Sequence, residues 1–114
     1  MQSNEKDCLK EVENFDKTGF NYTLSLVSGK YKLTILYAIY RHKVIRFNSL
    51  QRYLNMLSHK TLSIALKELE KDNLIIRTEY KQIPPKVEYS LSEKGQSFIP
   101  ILYAICEWGE QHMN

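Results

Sequence analysis

The spacing of apolar residues changes from helical to strand-like in the second half of the chain, and this change restricts the fold most. In SHKTLSIALKELEKDN (58–73), three leucines recur at intervals of four and three residues, which predicts a helix with one buried stripe. In KVEYSLS (86–92), apolar and polar residues alternate, which predicts a half-buried strand. The intervening LIIRTEY (74–80) is rich in β-branched and aromatic residues and predicts a second strand. We therefore expect a helix followed directly by a β-hairpin.

Two segments ahead of this unit also predict helices. KYKLTILYAIYRH (30–42) is apolar on nearly all sides, which is typical of a buried central helix. FNSLQRYLNML (47–57) predicts a short helix with Asn48 as its cap, and Ser58 is the expected cap of the next helix. About three residues separate these two short helices, so they predict a helix-turn-helix. Its second helix is expected to end at Asn73, a residue that tolerates the left-handed conformation.

The expected hairpin has a stiff tip, because the two prolines of KQIPP (81–85) lack backbone donors and hold the link extended. A helix-turn-helix followed at once by such a hairpin is a winged helix, and the conjunction is much more specific than either part. The predicted fold class is mainly α with a small β-hairpin (α+β). We expect one winged helix-turn-helix domain (1–114) with an N-terminal dimerisation segment (1–20), the helix-turn-helix (46–73), the wing (74–92) and a C-terminal dimerisation helix (93–114).

Basic and acidic residues are segregated along the chain. From Lys17 to Lys67 there are nine lysines or arginines and no aspartate or glutamate, whereas all 13 acids lie outside with the seven other bases. An anionic partner, most often nucleic acid, explains such an acid-free stretch. Charge alone favours this explanation no more than an accidental basic face.

The charges of the helix predicted at 58–73 run against the helix dipole. Its first turn carries His59 and Lys60, and its acids stand in the last turns. Because a helix N-terminus is a partial positive pole, each misplaced charge costs roughly 0.3–1 kcal/mol. In a helix-turn-helix, the N-terminal residues of the second helix enter the DNA major groove, where acids would repel phosphates. A DNA partner therefore accounts for the reversed charge order.

The N-terminal half of this helix is expected to read DNA bases. His59, Lys60 and Ser63 lie near the N-terminus on the side away from the leucines, where they can approach base edges. Ser58 and Thr61 are expected to hold a phosphate or to cap the helix.

Other basic residues are expected to contact phosphates and to make binding depend steeply on salt. Lys67 shares the exposed side of the helix, and Arg46 precedes the first helix of the pair. Lys81 and Lys86 belong to the wing. The predicted partner is thus double-stranded DNA.

The C-terminal segment GQSFIPILYAICEWGEQHM (95–113) carries more apolar surface than one small domain can cover. One stripe can pack on the domain, and a second then remains for a partner subunit. The first stripe is Phe98, Ile101, Leu102, Ile105 and Trp108, and the second is Ile99, Tyr103 and Cys106. A monomer with a wide buried face is the alternative. A two-fold homodimer places two recognition helices about one DNA turn, roughly 34 Å, apart on an inverted repeat. The predicted interface residues are Leu9, Val12, Ile99, Tyr103 and Cys106.

The sequence also resembles the HxlR-type winged helix-turn-helix transcriptional regulators, which are MarR-like DNA-binding proteins. The resemblance implies a homodimeric bacterial regulator that binds a palindromic operator near a promoter. Three residues depart from the family pattern, namely Ser28, Tyr31 and Asn73, where glycine, tryptophan and glycine are usual. The resembling stretches are YTLSLVSGKYKLTILYAI (22–39), RFNSLQRYL (46–54), LSHKTLSIALKELEKDNLIIR (57–77), IPPKVEYSLSEKGQSFIPIL (83–102) and CEWG (106–109).

Some members of the resembling family sense oxidants or electrophiles through a cysteine near the N-terminus. Thr18 stands at the aligned position here, and Cys8 lies ten residues upstream, so Cys8 is the candidate redox sensor. Acidic residues flank Cys8 and would raise its thiol pKa, which disfavours reactivity. Cys106 is expected to be a small buried hydrophobe. A small-molecule or redox effector is compatible with the resemblance but is not identified by it.

Other functional classes lack matching motifs. The three histidines have no partners at metal-ligand spacing, and no glycine-rich phosphate loop or catalytic triad pattern is present, so neither cofactor, metal site nor enzyme is expected. Most of the eight tyrosines are expected in the core. The polar, acidic N-terminus and the short apolar runs predict a cytoplasmic protein without signal peptide or membrane span. The alternative function is a winged helix used only for protein–protein contact.

Overall fold

The computed structural model describes residues 9–10 and 13–114. A 3-10 turn at Phe15–Lys17 precedes the main elements, which are mostly helical. In chain order the elements are α1 (Gly19–Val27), α2 (Lys32–His42), β1 (Val44–Arg46), α3 (Phe47–Tyr53), α4 (His59–Lys71), β2 (Ile75–Tyr80), β3 (Lys86–Leu91), α5 (Glu93–Ser97) and α6 (Ile99–His112).

Helices α3 and α4 form the predicted helix-turn-helix. The Ser58 hydroxyl accepts a hydrogen bond from the Thr61 amide at 3.1 Å, so Ser58 caps α4 as expected. Asn73 follows α4 with a φ of 62°, the left-handed conformation that ends many helices. The expected cap of α3 is wrong: Arg46 occupies that position without a side-chain hydrogen bond, and Asn48 lies inside the helix.

Strands β2 and β3 form the predicted hairpin, and a third strand joins them. The sheet is antiparallel with the order β1-β3-β2, so β3 is central. Tyr89 of β3 lies opposite both Ile45 of β1 and Arg77 of β2. The sheet therefore connects the wing directly to the residue that precedes α3, which is Arg46.

Helix α2 is the central helix of the core, although it is not buried on all sides. Ile35, Leu36 and Ile39 are almost fully buried, whereas Tyr37 and Tyr40 are exposed. The expectation that most tyrosines lie in the core is wrong. A tyrosine ring can lie at the protein surface because its hydroxyl stays in water while the ring packs on apolar neighbours. Six of the eight tyrosines are exposed, and among the aromatic residues Tyr89 is buried in the core.

The C-terminal segment is two helices rather than the single helix predicted at 93–114. Helix α5 ends at Ser97, with Phe98 as its cap, and α6 starts at Ile99 with Pro100 in its first turn, where the missing amide leaves no hydrogen bond unmade. Ser92 caps α5 by accepting a hydrogen bond from the Gly95 amide at 2.9 Å. A Cβ built on Gly95 would lie 2.1 Å from the Leu74 carbonyl oxygen, so only glycine permits this close packing.

Candidate nucleic-acid interface

The outer face of α4 is basic at both ends and apolar at its middle. Leu62, Leu66 and Leu69 face the core. The 100° rotation per residue of an α-helix places Lys60, Ile64 and Lys67 on the opposite side; all three are exposed. Neither lysine makes an ion pair within the part of the chain that the structure describes. Two available positive charges therefore stand on this face.

The N-terminus of α4 is organised by two hydroxyls. The Ser58 hydroxyl donates to the Thr61 hydroxyl at 3.0 Å while it accepts from the Thr61 amide. Both side chains are exposed. Of the two roles expected for this pair, the geometry shows the capping role, and the first turn holds no acid.

His59 and Ser63 lie beside the outer face of α4 rather than at its centre. The His59 ring packs against the Phe47 ring with a centroid distance of 4.7 Å, which positions it between α3 and α4. Ser63 is half-buried. Both line one cleft between α4 and the sheet, together with Lys67 and Arg77.

A second cleft flanks α4 on its other side. It is lined by the loop before α2, including Gly29 and Lys30, and by Thr61 and Ile64 of α4. The two clefts make α4 a ridge with a concave surface on each side. Each cleft is lined by two basic side chains and one acid: Lys30, Lys32 and Glu68 in one, and Lys67, Arg77 and Glu70 in the other.

The wing and α3 together form a third basic cleft. Arg46 and Lys86 lie far apart in the sequence, and both were predicted to contact phosphates. Both line this cleft, together with Arg52. The Lys86 ammonium lies 3.4 Å from a Glu88 carboxylate oxygen and 4.6 Å from the centre of the Tyr80 ring. These contacts hold Lys86 in position, whereas Lys81 is exposed just beyond β2 and does not line the cleft.

One charge of the acid-free segment is used inside the molecule. Lys32 is 8% exposed, and its ammonium lies 2.8 Å from a carboxylate oxygen of Glu68 on α4. Lys32 is therefore not available to an anionic partner. Glu68 is one of the acids that lie far from the N-terminus of α4. It also has a structural role as the partner of Lys32.

Sequence reasoning missed four residues of this surface. Lys30 and Arg52 belong to the acid-free segment, so charge could have indicated them. Ile64 is an apolar residue of α4 outside the leucine stripe, so the hydrophobic pattern could have indicated it. Arg77 could be assigned to this surface only once the pairing of the strands was known. Hydrogen bonding to Tyr89, and then to Glu79, raises the pKa of the Arg77 guanidinium, which therefore stays charged.

The residues predicted at the dimer interface have different surroundings in one chain. Leu9, at 81%, and Tyr103, at 63%, are strongly exposed. Ile99 is half-buried against the core of its own chain. The expected division of the two stripes is therefore wrong, because Ile101, Ile105 and Trp108 of the first stripe are exposed. Cys106 was expected to be buried but is exposed, and its thiol donates to a Glu110 carboxylate oxygen at 3.6 Å. Val12 lies outside the described residues.

Thr18 stands at the position aligned with the family's cysteine, whereas the candidate sensor Cys8 lies outside the described residues. Thr18 is buried and caps α1: its hydroxyl accepts from the Asn21 amide at 3.1 Å and donates to the Phe15 carbonyl at 2.8 Å. Thr18 thus serves as a helix cap at the position aligned with the family's cysteine.

Two further observations concern residues 9–10 and 13–114. No cluster of three or more histidine, cysteine, aspartate or glutamate side chains there is arranged to hold a metal ion. No helix in these segments combines the length and apolar character needed to cross a bilayer.

A winged helix whose recognition helix presents an acid-free, basic N-terminus defines the class of helix-turn-helix transcription regulators. Comparisons with known proteins specify the family within this class. Residues 26–114 match the model of the HxlR-like helix-turn-helix family. The chain belongs to this family, whose DNA-binding regulators it resembled in sequence.

Individual relatives agree with this assignment along most of their length. An uncharacterised HTH-type transcriptional regulator of Halalkalibacterium halodurans is 49% identical over 91% of this chain and 92% of its own. The solved structure of the HTH-type transcriptional regulator YtcD superposes with a TM-score of 0.79 at 40% identity, covering 83% of this chain and 96% of that one. The redox regulator HypR in its oxidised form gives a TM-score of 0.77 at 37% identity, with 83% and 97% covered.

Proposed function

We propose that this protein is a homodimeric, sequence-specific regulator that binds an inverted-repeat operator through the N-terminal half of α4. The observation that carries the proposal is the ridge formed by α4. Its outer face presents Lys60 and Lys67 without an acid in the first turn, between clefts that hold Lys30 and Arg77. The major groove admits an α-helix, and the basic side chains in the flanking clefts are then close to the phosphates of the two strands.

Base reading is assigned to the first turns of α4. Lys60 on the outer face can donate to guanine O6 and N7. His59 and Ser63 stand beside it at the cleft towards the wing, where they can reach bases nearer one strand. Ser58 and Thr61 hold the helix N-terminus, and their exposed hydroxyls can also donate to a phosphate.

Phosphate binding is assigned to the basic residues around this centre. Arg46, Arg52 and Lys86 line one cleft between α3 and the wing, which suits a backbone phosphate that passes there. Lys81, at the end of β2, is expected to reach the flanking DNA. Each such contact releases counterions, so affinity should fall steeply with salt.

The homodimer is proposed from the apolar surface of the terminal helices. Leu102 is buried and Ile99 is half-buried in α6, whereas its other large apolar side chains are exposed in one chain. A second copy that covers them would remove this apolar surface from water. The N-terminal segment (1–20) and α6 would together form the interface. The exposed apolar residues of α6 are Ile101, Tyr103, Ile105 and Trp108.

The proposal is tested with duplexes selected by the purified protein from a randomised pool and from the DNA upstream of its own gene. Fluorescence anisotropy at several salt concentrations should show specific binding that weakens steeply as salt rises. Lys60→Ala should cost about 1–3 kcal/mol on the selected duplex and relax sequence preference. Lys86→Ala should weaken all duplexes alike and reduce the salt slope by about one.

Lys71→Ala is the matched control, since it removes the same charge at the far end of α4. It should leave the affinity nearly unchanged. Absence of salt-sensitive duplex binding by the wild-type protein would contradict the proposal and favour a winged helix that contacts only other proteins. An equal, uniform loss for Lys60→Ala and Lys86→Ala would contradict the division of roles.

A further inference from the structure

Ile64 occupies the centre of the outer face of α4. It lies one turn after Lys60 and just under one turn before Lys67, so the three side chains form one exposed row. Thr61 and Lys30 line the cleft on one side of Ile64, and Glu68, one turn further on, is held by Lys32. The middle of the row is therefore an apolar side chain surrounded by polar ones.

An isoleucine at this point costs stability in the isolated protein. Ile64 is 48% exposed, whereas the leucines of α4 are almost completely buried. Isoleucine also has a lower helix propensity than lysine, glutamine or alanine, which suit an exposed helix position better. Single exposed apolar residues are common on protein surfaces, so exposure alone carries no function. Ile64 differs from such scattered surface residues because it lies on the ridge that is proposed to enter the major groove.

The major groove offers one prominent apolar group, the 5-methyl group of thymine. Lysine and serine donors cannot gain from that group, but an aliphatic side chain can bury it. We infer that Ile64 determines sequence specificity by packing against a thymine 5-methyl group in each half-site. This inference rests on the proposed function, because it requires that α4 lie in the major groove. It predicts an A·T pair opposite the middle of α4, beside the base pairs that Lys60 reads.

Replacing thymine by uracil removes the methyl group and leaves every hydrogen-bonding group unchanged. Each thymine of a duplex selected by the wild-type protein is replaced by uracil in turn, and binding is measured by anisotropy. Burial of one methyl group corresponds to about a fourfold change in affinity. We expect a loss of about this size at one or two positions in each half-site and almost none elsewhere.

Ile64→Ala then provides the decisive comparison. Alanine favours the helix, so this variant should fold, and circular dichroism checks it. The variant should bind the thymine duplex about as weakly as wild type binds the uracil duplex, and uracil should cause it no further loss. Ile64→Val keeps a branched side chain and should retain part of the discrimination. Ile76→Ala is the matched control, because Ile76 is similarly exposed but lies on β2.

The outcomes separate this inference from the proposed function. If no duplex is bound, the proposed function is contradicted. If the duplex is bound but uracil has no effect at any position, or the same effect on wild type and Ile64→Ala, the role of Ile64 is contradicted while DNA binding stands.

Discussion

The Lys32 ammonium on α2 lies 2.8 Å from the Glu68 carboxylate on α4, and this pair joins the central helix to the proposed recognition helix. Lys32 is buried, whereas the Glu68 side chain is about half exposed at 53%. A lysine at the first position of α2 opposes the helix dipole, and Glu68 compensates for it. The pair therefore positions α4 without using any residue of its outer face.

Removal of the Glu68 charge should destabilise the fold, because it leaves a buried ammonium unpaired. Solvent reaches Glu68, so we expect Glu68→Gln to lower the free energy of unfolding by about 1 kcal/mol. The double variant Lys32→Met/Glu68→Gln should recover most of this loss. Urea denaturation measures both, with Glu70→Gln as a control of equal charge change. A loss for Glu70→Gln equal to that for Glu68→Gln would show that helix charge, not the pair, matters.

Ser92 should contribute to stability through two hydrogen bonds. Its buried hydroxyl donates to the Asn73 carbonyl at 2.6 Å and accepts from the Gly95 amide at 2.9 Å. Ser92→Ala leaves both groups without this partner and should cost about 1–3 kcal/mol of unfolding free energy. Ser97→Ala is the control, because its exposed hydroxyl donates to the Lys94 carbonyl of its own helix. Similar midpoints of thermal unfolding for Ser92→Ala and wild type would contradict this assignment.

Tyr103→Glu should split the proposed homodimer. A carboxylate buried without a partner at an interface is costly, whereas in one chain position 103 is exposed and tolerates the charge. Sedimentation velocity at micromolar concentration should show a wild-type dimer and a monomeric, folded variant with weaker operator binding. Ile76→Glu, on the exposed side of β2, should remain dimeric. A wild-type monomer that binds a single half-site at full strength would overturn the dimer proposal.

Cys106 should be a poorly reactive thiol below alkaline pH. The negative charge of Glu110, with a smaller effect from Glu107, disfavours the thiolate and raises the pKa of Cys106 above its ordinary value. In a Cys8→Ala background, Cys106 is the remaining thiol. The midpoint of its alkylation rate against pH should lie above that of an ordinary thiol, and Glu110→Gln should move it down. An unchanged midpoint in Glu110→Gln would show that the carboxylate does not control the thiol.

Long periodic segments made most of the fold predictable from sequence. The leucine spacing in α4 and the alternation in β3 each report one buried face, and both elements lie within two residues of their predicted bounds. Strand β1 was missed because three residues are too few to show a period of two. The division between α5 and α6 was missed because a proline is found both at kinks inside helices and in the first turn of a new helix, and Pro100 stands in the first turn of α6.

The surface was less predictable than the core, since it depends on which elements become neighbours. Nothing in the local sequence around Lys32 distinguishes it from Lys30, yet one forms a buried pair and the other lines an open cleft. Arg46 and Lys86 are brought together only by the pairing of β1 with β3. Cys106 looked like a core residue because its helix is apolar, but α6 contributes little more than Leu102 to the core of its own chain.

The bond from Ser92 to Asn73 and the close approach of Gly95 to Leu74 attach the end of α4 to α5, which continues almost at once into α6. In the proposed dimer, α6 meets its symmetry mate, so this short path, together with the packing of α2 against both α4 and α6, would set how far apart the two copies of α4 lie. The number of base pairs between operator half-sites would then be encoded in the protein interior. Variants at positions 92 and 95 could change the preferred spacing while every DNA-contacting side chain stays the same.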